Sequence, residues 1–145
     1  VPQVQLIKEE RFPQGDWLGA VIDRRIPGLK HIFGGGFFFG MNELHERGAA
    51  GTFASSGAPE VHARVWNLME AGKFEEARRI QSLLNDLMRA EFTPQSLLGV
   101  KHALLLRGIF SAAAVRNHPP RTLDRHHVRE LERCLAQLEP HLARV

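Results

Sequence analysis

The residue with the clearest chemical potential is Lys8, which closes the apolar stretch Val4-Gln5-Leu6-Ile7 before the chain runs through Glu9-Glu10 and turns at Arg11-Phe12-Pro13-Gln14-Gly15. An amine at the C-terminal end of a buried strand sits where α/β folds place their chemistry, because the loops that build the site start there. A neutral amine attacks a ketone, and burial at the mouth of an apolar ring of strands favours the neutral form by penalising the ammonium ion. Once an imine has formed, its protonated nitrogen draws electrons from the adjacent carbon and permits C–C cleavage, condensation or loss of water. Strand alternation places Val4, Leu6 and Lys8 on one face and Gln5 and Ile7 on the other, so Lys8 points wherever Leu6 points. On position alone the ordinary reading is a solvated lysine, since exposure is the default for that residue.

Other groups weigh less. Glu9 and Glu10 are candidate acid–base residues, but neighbours on a strand point opposite ways, so at most one faces Lys8 and both read as structural or loop residues. Gly34-Gly35-Gly36 lacks the Gly-x-Gly-x-x-Gly spacing of a dinucleotide loop, and Phe37-Phe38-Phe39 stands where phosphate would lie. The glycines instead let backbone approach a bound substrate, with one or more of the phenylalanines walling the pocket or entering the core. Thr52, Phe53, Ser55 and Ser56 end a strand; the serines are candidate substrate contacts and also ordinary turn formers. His118, His126, His127 and Cys134 do not make a metal site, because adjacent His126 and His127 diverge by about 100° on a helix and no pair at i, i+4 completes a tetrahedral set. The arginines 125, 129 and 133 form a helical stripe, joined by Arg116 and Arg121. Glu130, Glu132 and Glu139 interrupt that stripe and no aromatic residues accompany it, which favours a solvated face over nucleic-acid binding.

The elements that must position these residues follow from periodicity. After the Lys8 strand, Asp16 is placed to cap a helix with the stripe Trp17, Leu18, Val21 and Ile22, ending at Ile26-Pro27-Gly28. Leu29 to Phe33 reads as a second strand, about Phe38 to Arg47 as a helix stopped by Gly48, and Gly51 to Ser55 as a third strand. Connections this short between strands imply parallel pairing with right-handed crossovers. From Pro59 the pattern is helical: Pro59 to Ala71, Phe74 to Glu91 broken at Thr93-Pro94, Leu97 to Arg107, and Asp124 to about Leu138. Ser111 to Thr122 reads as an extended linker.

The fold class is therefore α/β. Three strands cannot close a barrel that needs eight, so the chain is expected to be the C-terminal half of a TIM (β/α)8 barrel followed by a helical extension. Residues 1–72 are assigned to the partial barrel and 73–145 to the extension. At 145 residues, 43% hydrophobic and 24% charged, with a net charge of +3, the composition is that of a globular domain. The longest apolar runs, Ile32 to Met41 and Gly108 to Val115, are too short to cross a bilayer. There is no signal-like start, and the single cysteine, Cys134, excludes an intrachain disulfide and fits a reducing, cytoplasmic compartment. The chain begins without Met and holds nine Phe but no Tyr, and an opening strand would leave a bare sheet edge. These features suggest that further chain precedes it.

In their order these motifs resemble the C-terminal half of the dihydrodipicolinate synthase and N-acetylneuraminate lyase family, class I Schiff-base aldolases and lyases. Val4 to Glu9 resembles the family's sixth strand with its Ile-Lys-Glu ending, Phe33-Gly34-Gly35 the end of the seventh, and Arg47-Gly48-Ala49-Ala50-Gly51-Thr52 the entry to the eighth. Downstream, Ala71-Gly72-Lys73-Phe74-Glu75-Glu76-Ala77, Val100-Lys101-His102-Ala103-Leu104 and Val115-Arg116 with Pro119-Pro120 resemble its helix junction, Val-Lys helix and Arg-x-Pro linker. The resemblance implies that Lys8 forms a Schiff base with pyruvate or a 2-keto-3-deoxy sugar acid. It implies that Gly35, Gly36 and Phe53 line the pocket, with the Phe53 carbonyl beside the lysine. No cofactor, metal, nucleic acid or membrane is implied, and the full-length protein would be a homotetramer. The family's threonine pair and proton-relay tyrosine fall in its first five strands, so this segment by itself would be inactive. The rival reading is a non-catalytic helical interaction module built on the helices after Gly72.

Overall fold

The computed structural model describes residues 3–35, 40–116 and 121–143, and of residues 93–96 only the course of the backbone. In chain order the elements are β1 (Leu6–Glu9), α1 (Gln14–Asp23), β2 (His31–Gly34), α2 (Met41–Glu46), α3 (Pro59–Glu70), α4 (Phe74–Leu106), α5 (Arg125–Leu138) and a 3-10 turn at Glu139–His141. They fall into two compact units, one of residues 1–54 and 64–78, the other of residues 55–63 and 79–145.

The first unit holds the sheet. β1 and β2 pair in parallel with Leu6 opposite His31 and Lys8 opposite Phe33, as a helical connection between them demands. The third strand expected from the sequence is present as a single parallel bridge, Gly34 to Thr52. It is supported by Ala50 N–H to the Ile32 carbonyl at 2.8 Å, Gly34 N–H to Gly51 at 3.0 Å and Phe53 N–H to Gly34 at 2.8 Å. Strand order is thus sequential and uniformly parallel. α1 buries Gln14, Leu18 and Val21, one face at helical spacing. It starts two residues before Asp16, with Pro13 at the cap position and no capping side chain; Asp16 lies in the first turn, where a carboxylate complements the helix dipole. Trp17 stays outside, its indole N–H donating to the Phe12 carbonyl at 3.2 Å and its ring lying 4.1 Å from the Arg11 guanidinium carbon.

The second unit is helical. α5 buries Leu131, Cys134, Leu135 and Leu138, the i, i+3, i+4, i+7 stripe of an amphipathic helix. Asp124 caps it by accepting the His126 and His127 N–H groups at 2.8 and 2.9 Å. The break expected at Thr93-Pro94 takes another form: the backbone is helical from Phe74 to Leu106, yet it bends sharply between Glu91 and Gly99. A Cβ on Gly99 would stand 2.8 Å from the Glu91 Cα, whereas eight residues of straight helix span about 12 Å. No helix among the described residues is long and apolar enough to cross a membrane.

Candidate active site at the end of the first strand

Lys8 sits at the C-terminal end of a parallel strand, and its surroundings come from all three strand segments. Its Nζ lies 2.8 Å from Glu10 Oε1 and 5.3 Å from the centre of the Phe53 ring. Phe53 is held edge-on to Phe33, their ring centres 5.5 Å apart. On the β2 side Gly35 forms the floor: a Cβ there would come within 2.6 Å of Lys8 Cγ and would also overlap the Glu10 side chain. Only a residue without a side chain leaves room for the lysine stem to lie across this backbone.

Two carboxylates follow Lys8, Glu9 as the last residue of β1 and Glu10 just beyond it. Glu10 shares the Lys8 face, whereas Glu9 turns the other way and is buried. There it accepts the Arg11 side chain at 3.0 and 2.7 Å and the Arg11 N–H at 2.8 Å. The Arg11 guanidinium draws the Glu9 carboxyl down to about 2 against the opposing effect of burial. Glu9 therefore stays ionised and is committed to the turn. A second buried group ties the strand ends together, since Gln14 Nε2 donates to the Glu9 carbonyl at 2.5 Å and to the Gly35 carbonyl at 2.7 Å.

The lysine is less enclosed than the sequence suggested. Its side chain is 38% exposed, and Leu6 on the same face is also exposed. Three strand segments make an open sheet, and among the described residues no layer covers this face. Gly36 and Phe37 to Phe39 lie outside the described residues, as does His118.

The second unit contains a polar cluster that sequence reasoning passed over. Glu91 is fully buried and accepts the Ser55 hydroxyl at 2.5 Å. Burial pushes its carboxyl up to about 7, offset in part by the Ser55 hydrogen bond and the nearby charge of Arg107. Gly57 packs against it, a Cβ there falling 2.7 Å from the Glu91 carboxyl carbon. Arg107 donates to the Gly57 carbonyl at 2.6 Å and pairs with Glu60. Ser55 also accepts the Gly57 N–H at 3.3 Å, which makes the serine a turn former here. A carboxylate inside an apolar helical stripe is the one local sign the sequence offered. Its partners lie 36 residues upstream and 16 downstream, beyond the reach of spacing arguments.

A sequential parallel sheet with a helix after β1 and another after β2 is the arrangement of part of a (β/α)8 barrel. The dihydrodipicolinate synthetase family model matches residues 33–138, and the chain belongs to that family. Among solved structures it is similar to dihydrodipicolinate synthase from Rhodopseudomonas palustris, with 23% identity and a TM-score of 0.79 over 92% of this chain and 45% of that one. The Bacteroides thetaiotaomicron dihydrodipicolinate synthase gives 23% and 0.77 over 95% and 48%. A variant Sulfolobus solfataricus 2-keto-3-deoxygluconate aldolase, in complex with L-2-keto, 3-deoxy-galactonate, gives 20% and 0.74 over 94% and 47%. The chain thus spans about half the length of the structures it matches. No curated protein matches it.

Proposed function

We propose that the protein is a Schiff-base lyase or aldolase in which Lys8 condenses with the ketone of pyruvate or of a 2-keto-3-deoxy sugar acid, without metal or cofactor. The observation that carries this reading is the placement of the Lys8 amine, at a parallel strand's C-terminal end, across the bare Gly35 backbone and beside the Phe53 ring. The amine adds to the carbonyl carbon, the resulting hydroxyl leaves as water, and the protonated imine stabilises negative charge developing on the neighbouring carbon. Gly35, Gly36 and Phe53 line the substrate's approach. Residues 1–72 supply the barrel part and 73–145 the helical extension. The chain alone is inactive in this reading: closing the ring over the open Lys8 face takes five further β-α units, and the complete protein works in the cytoplasm as a homotetramer.

The experiment is reductive trapping. The complete polypeptide is incubated with pyruvate and borohydride, digested and analysed by mass spectrometry. The expected product is a reduced adduct on Lys8, lost in Lys8→Arg. An unmodified Lys8 in the wild-type protein overturns the proposal.

A further inference from the structure

The second unit holds an acid deep inside with fewer partners than its charged form requires. Glu91 is fully buried, its Oε2 accepts the Ser55 hydroxyl at 2.5 Å, and its Oε1 has no hydrogen-bond partner among the described residues. Glycines box the residue in. A Cβ on Gly57 would overlap Oε1, and one on Gly99 would strike the Glu91 backbone across the bend of α4.

Residues 55–58 are tied down at two points. Ser55 is held by Glu91, and the Ser55 Oγ in turn accepts the Gly57 N–H at 3.3 Å. The Gly57 carbonyl accepts Arg107 at 2.6 Å, and Arg107 also pairs with Glu60. The two ties differ in kind, because an arginine stays charged at any ordinary pH whereas a carboxyl gains or loses its charge. An ionised carboxylate offers about four acceptor sites, and a single hydroxyl serves them here. The Arg107 guanidinium is engaged by Glu60 and the Gly57 carbonyl. These surroundings tolerate the neutral acid and oppose the anion.

We infer that Glu91 is a proton-operated latch: neutral, it holds residues 55–58 at the bend of α4; ionised, it leaves its slot for solvent and lets that segment swing on the Arg107 tie. The segment is the stretch of chain that departs from Phe53, and the latch does not depend on the chemistry at Lys8.

The direction of the response follows from where the proton sits. In the closed form burial keeps the proton on Glu91 up to about 7, offset in part by Ser55 and Arg107; opened to water, the carboxyl loses it near the ordinary 4.5. Between those values opening releases one proton, so the open fraction rises about tenfold per pH unit, and above the upper value it levels off. The other buried titratable groups described in the unit stay outside that window. Burial lowers His62 to about 4, against the nearby charge of Glu60, and raises the Cys134 thiol of α5 to about 11.

The test is amide hydrogen exchange in the complete polypeptide from pH 4.5 to 8, each rate being divided by that of unstructured chain at the same pH. The reporters are the Gly57 amide and those of Val61 and His62, which donate to the Ala58 carbonyl. Their protection is expected to fall roughly 300-fold between pH 4.5 and 7 and then to stay level, lying throughout below that of the Leu131 and Leu135 amides in α5. Glu91→Gln, which cannot ionise, should flatten the profile. Ser55→Ala should move the levelling point to higher pH, because it removes a hydrogen bond that favours the charged form, and it reads the latch even if Glu91→Gln does not fold. A flat wild-type profile overturns the latch, as does a Glu91→Gln profile that falls like wild type. Equal protection at Gly57 and in α5 overturns it too, since the proton then leaves only when the whole unit unfolds. An unchanged levelling point in Ser55→Ala has the same consequence.

Discussion

Each unit of this chain holds a carboxylate beside a glycine, and the two pairs are built to opposite ends. In the first, Glu10 and Lys8 lie across Gly35 at a strand end and stay accessible, with side-chain exposures of 53% and 38%. In the second, Glu91 is sealed between Gly57 and Gly99 at the bend of α4, with the Ser55 hydroxyl as its hydrogen-bond donor. A surface ion pair contributes little to stability, so the first arrangement is available for chemistry. A buried carboxylate carries a large desolvation cost, so the second constrains which chain geometry and which protonation state can exist. The same residue types serve reactivity in one place and shape in the other.

The contrast predicts unequal responses to change. The largest effect is expected for Gly99→Ala, whose methyl group would meet the Glu91 backbone rather than a movable side chain. Overpacking of this kind should cost roughly 3 kcal/mol or prevent folding, read as a fall in the urea midpoint. A near-wild-type midpoint would mean that the bend is not tight.

Glu91→Gln tests the buried carboxyl through pH. An unfolded glutamate loses its proton near 4.5, whereas the folded Glu91 keeps it to about 7. Between these values the folded state binds the extra proton, so stability falls as pH rises, by an amount on the order of 3 kcal/mol once both values are passed. The glutamine variant should lose this decline, as measured by denaturation at pH 4.5 and 8. An unchanged pH slope would place the titrating group elsewhere.

Gln14→Leu should cost about 2 kcal/mol, since it leaves the Glu9 and Gly35 carbonyls without their shared donor. Thermal denaturation reads the loss. Gly35→Ala sharpens the comparison most directly. Its overlap is with side-chain atoms of Lys8 and Glu10 rather than with backbone, so stability should fall by less than in Gly99→Ala, by about 1 kcal/mol. Adduct formation on Lys8 should nevertheless fall roughly tenfold or more, because misplacing a reacting group costs rate steeply. If stability and trapping fall together, Gly35 is a packing residue and no more.

Much of the frame was legible because it rests on local rules. Gly48 and Gly72 end their helices with φ of 90° and 72°, as glycines after an apolar stripe should, and Asp124 caps α5 where a short acidic side chain precedes a periodic run. The parallel strand order followed from the helices that separate the strands along the chain. What escaped was non-local. The sequence places no obvious partner for Glu91, and Gln14 read as a turn residue although its amide bridges two strands. An acidic side chain before an apolar stripe points to Asp16 as the cap of α1, but the helix begins at Gln14 with Pro13 at the cap position. Glu10 is a different case: the alternation that separated it from Glu9 also joined it to Lys8, two positions earlier, and the same rule carried further would have paired them.

The floor under Lys8 also bears on how such a site can change over time. One of its walls is peptide backbone, which offers no substituent to exchange without a collision; the other is the ring of Phe53, itself 53% exposed and free to become larger, smaller or polar. Innovation in what the amine accepts is thus confined to one direction, with the glycine side acting as the fixed jaw and the aromatic side as the adjustable one.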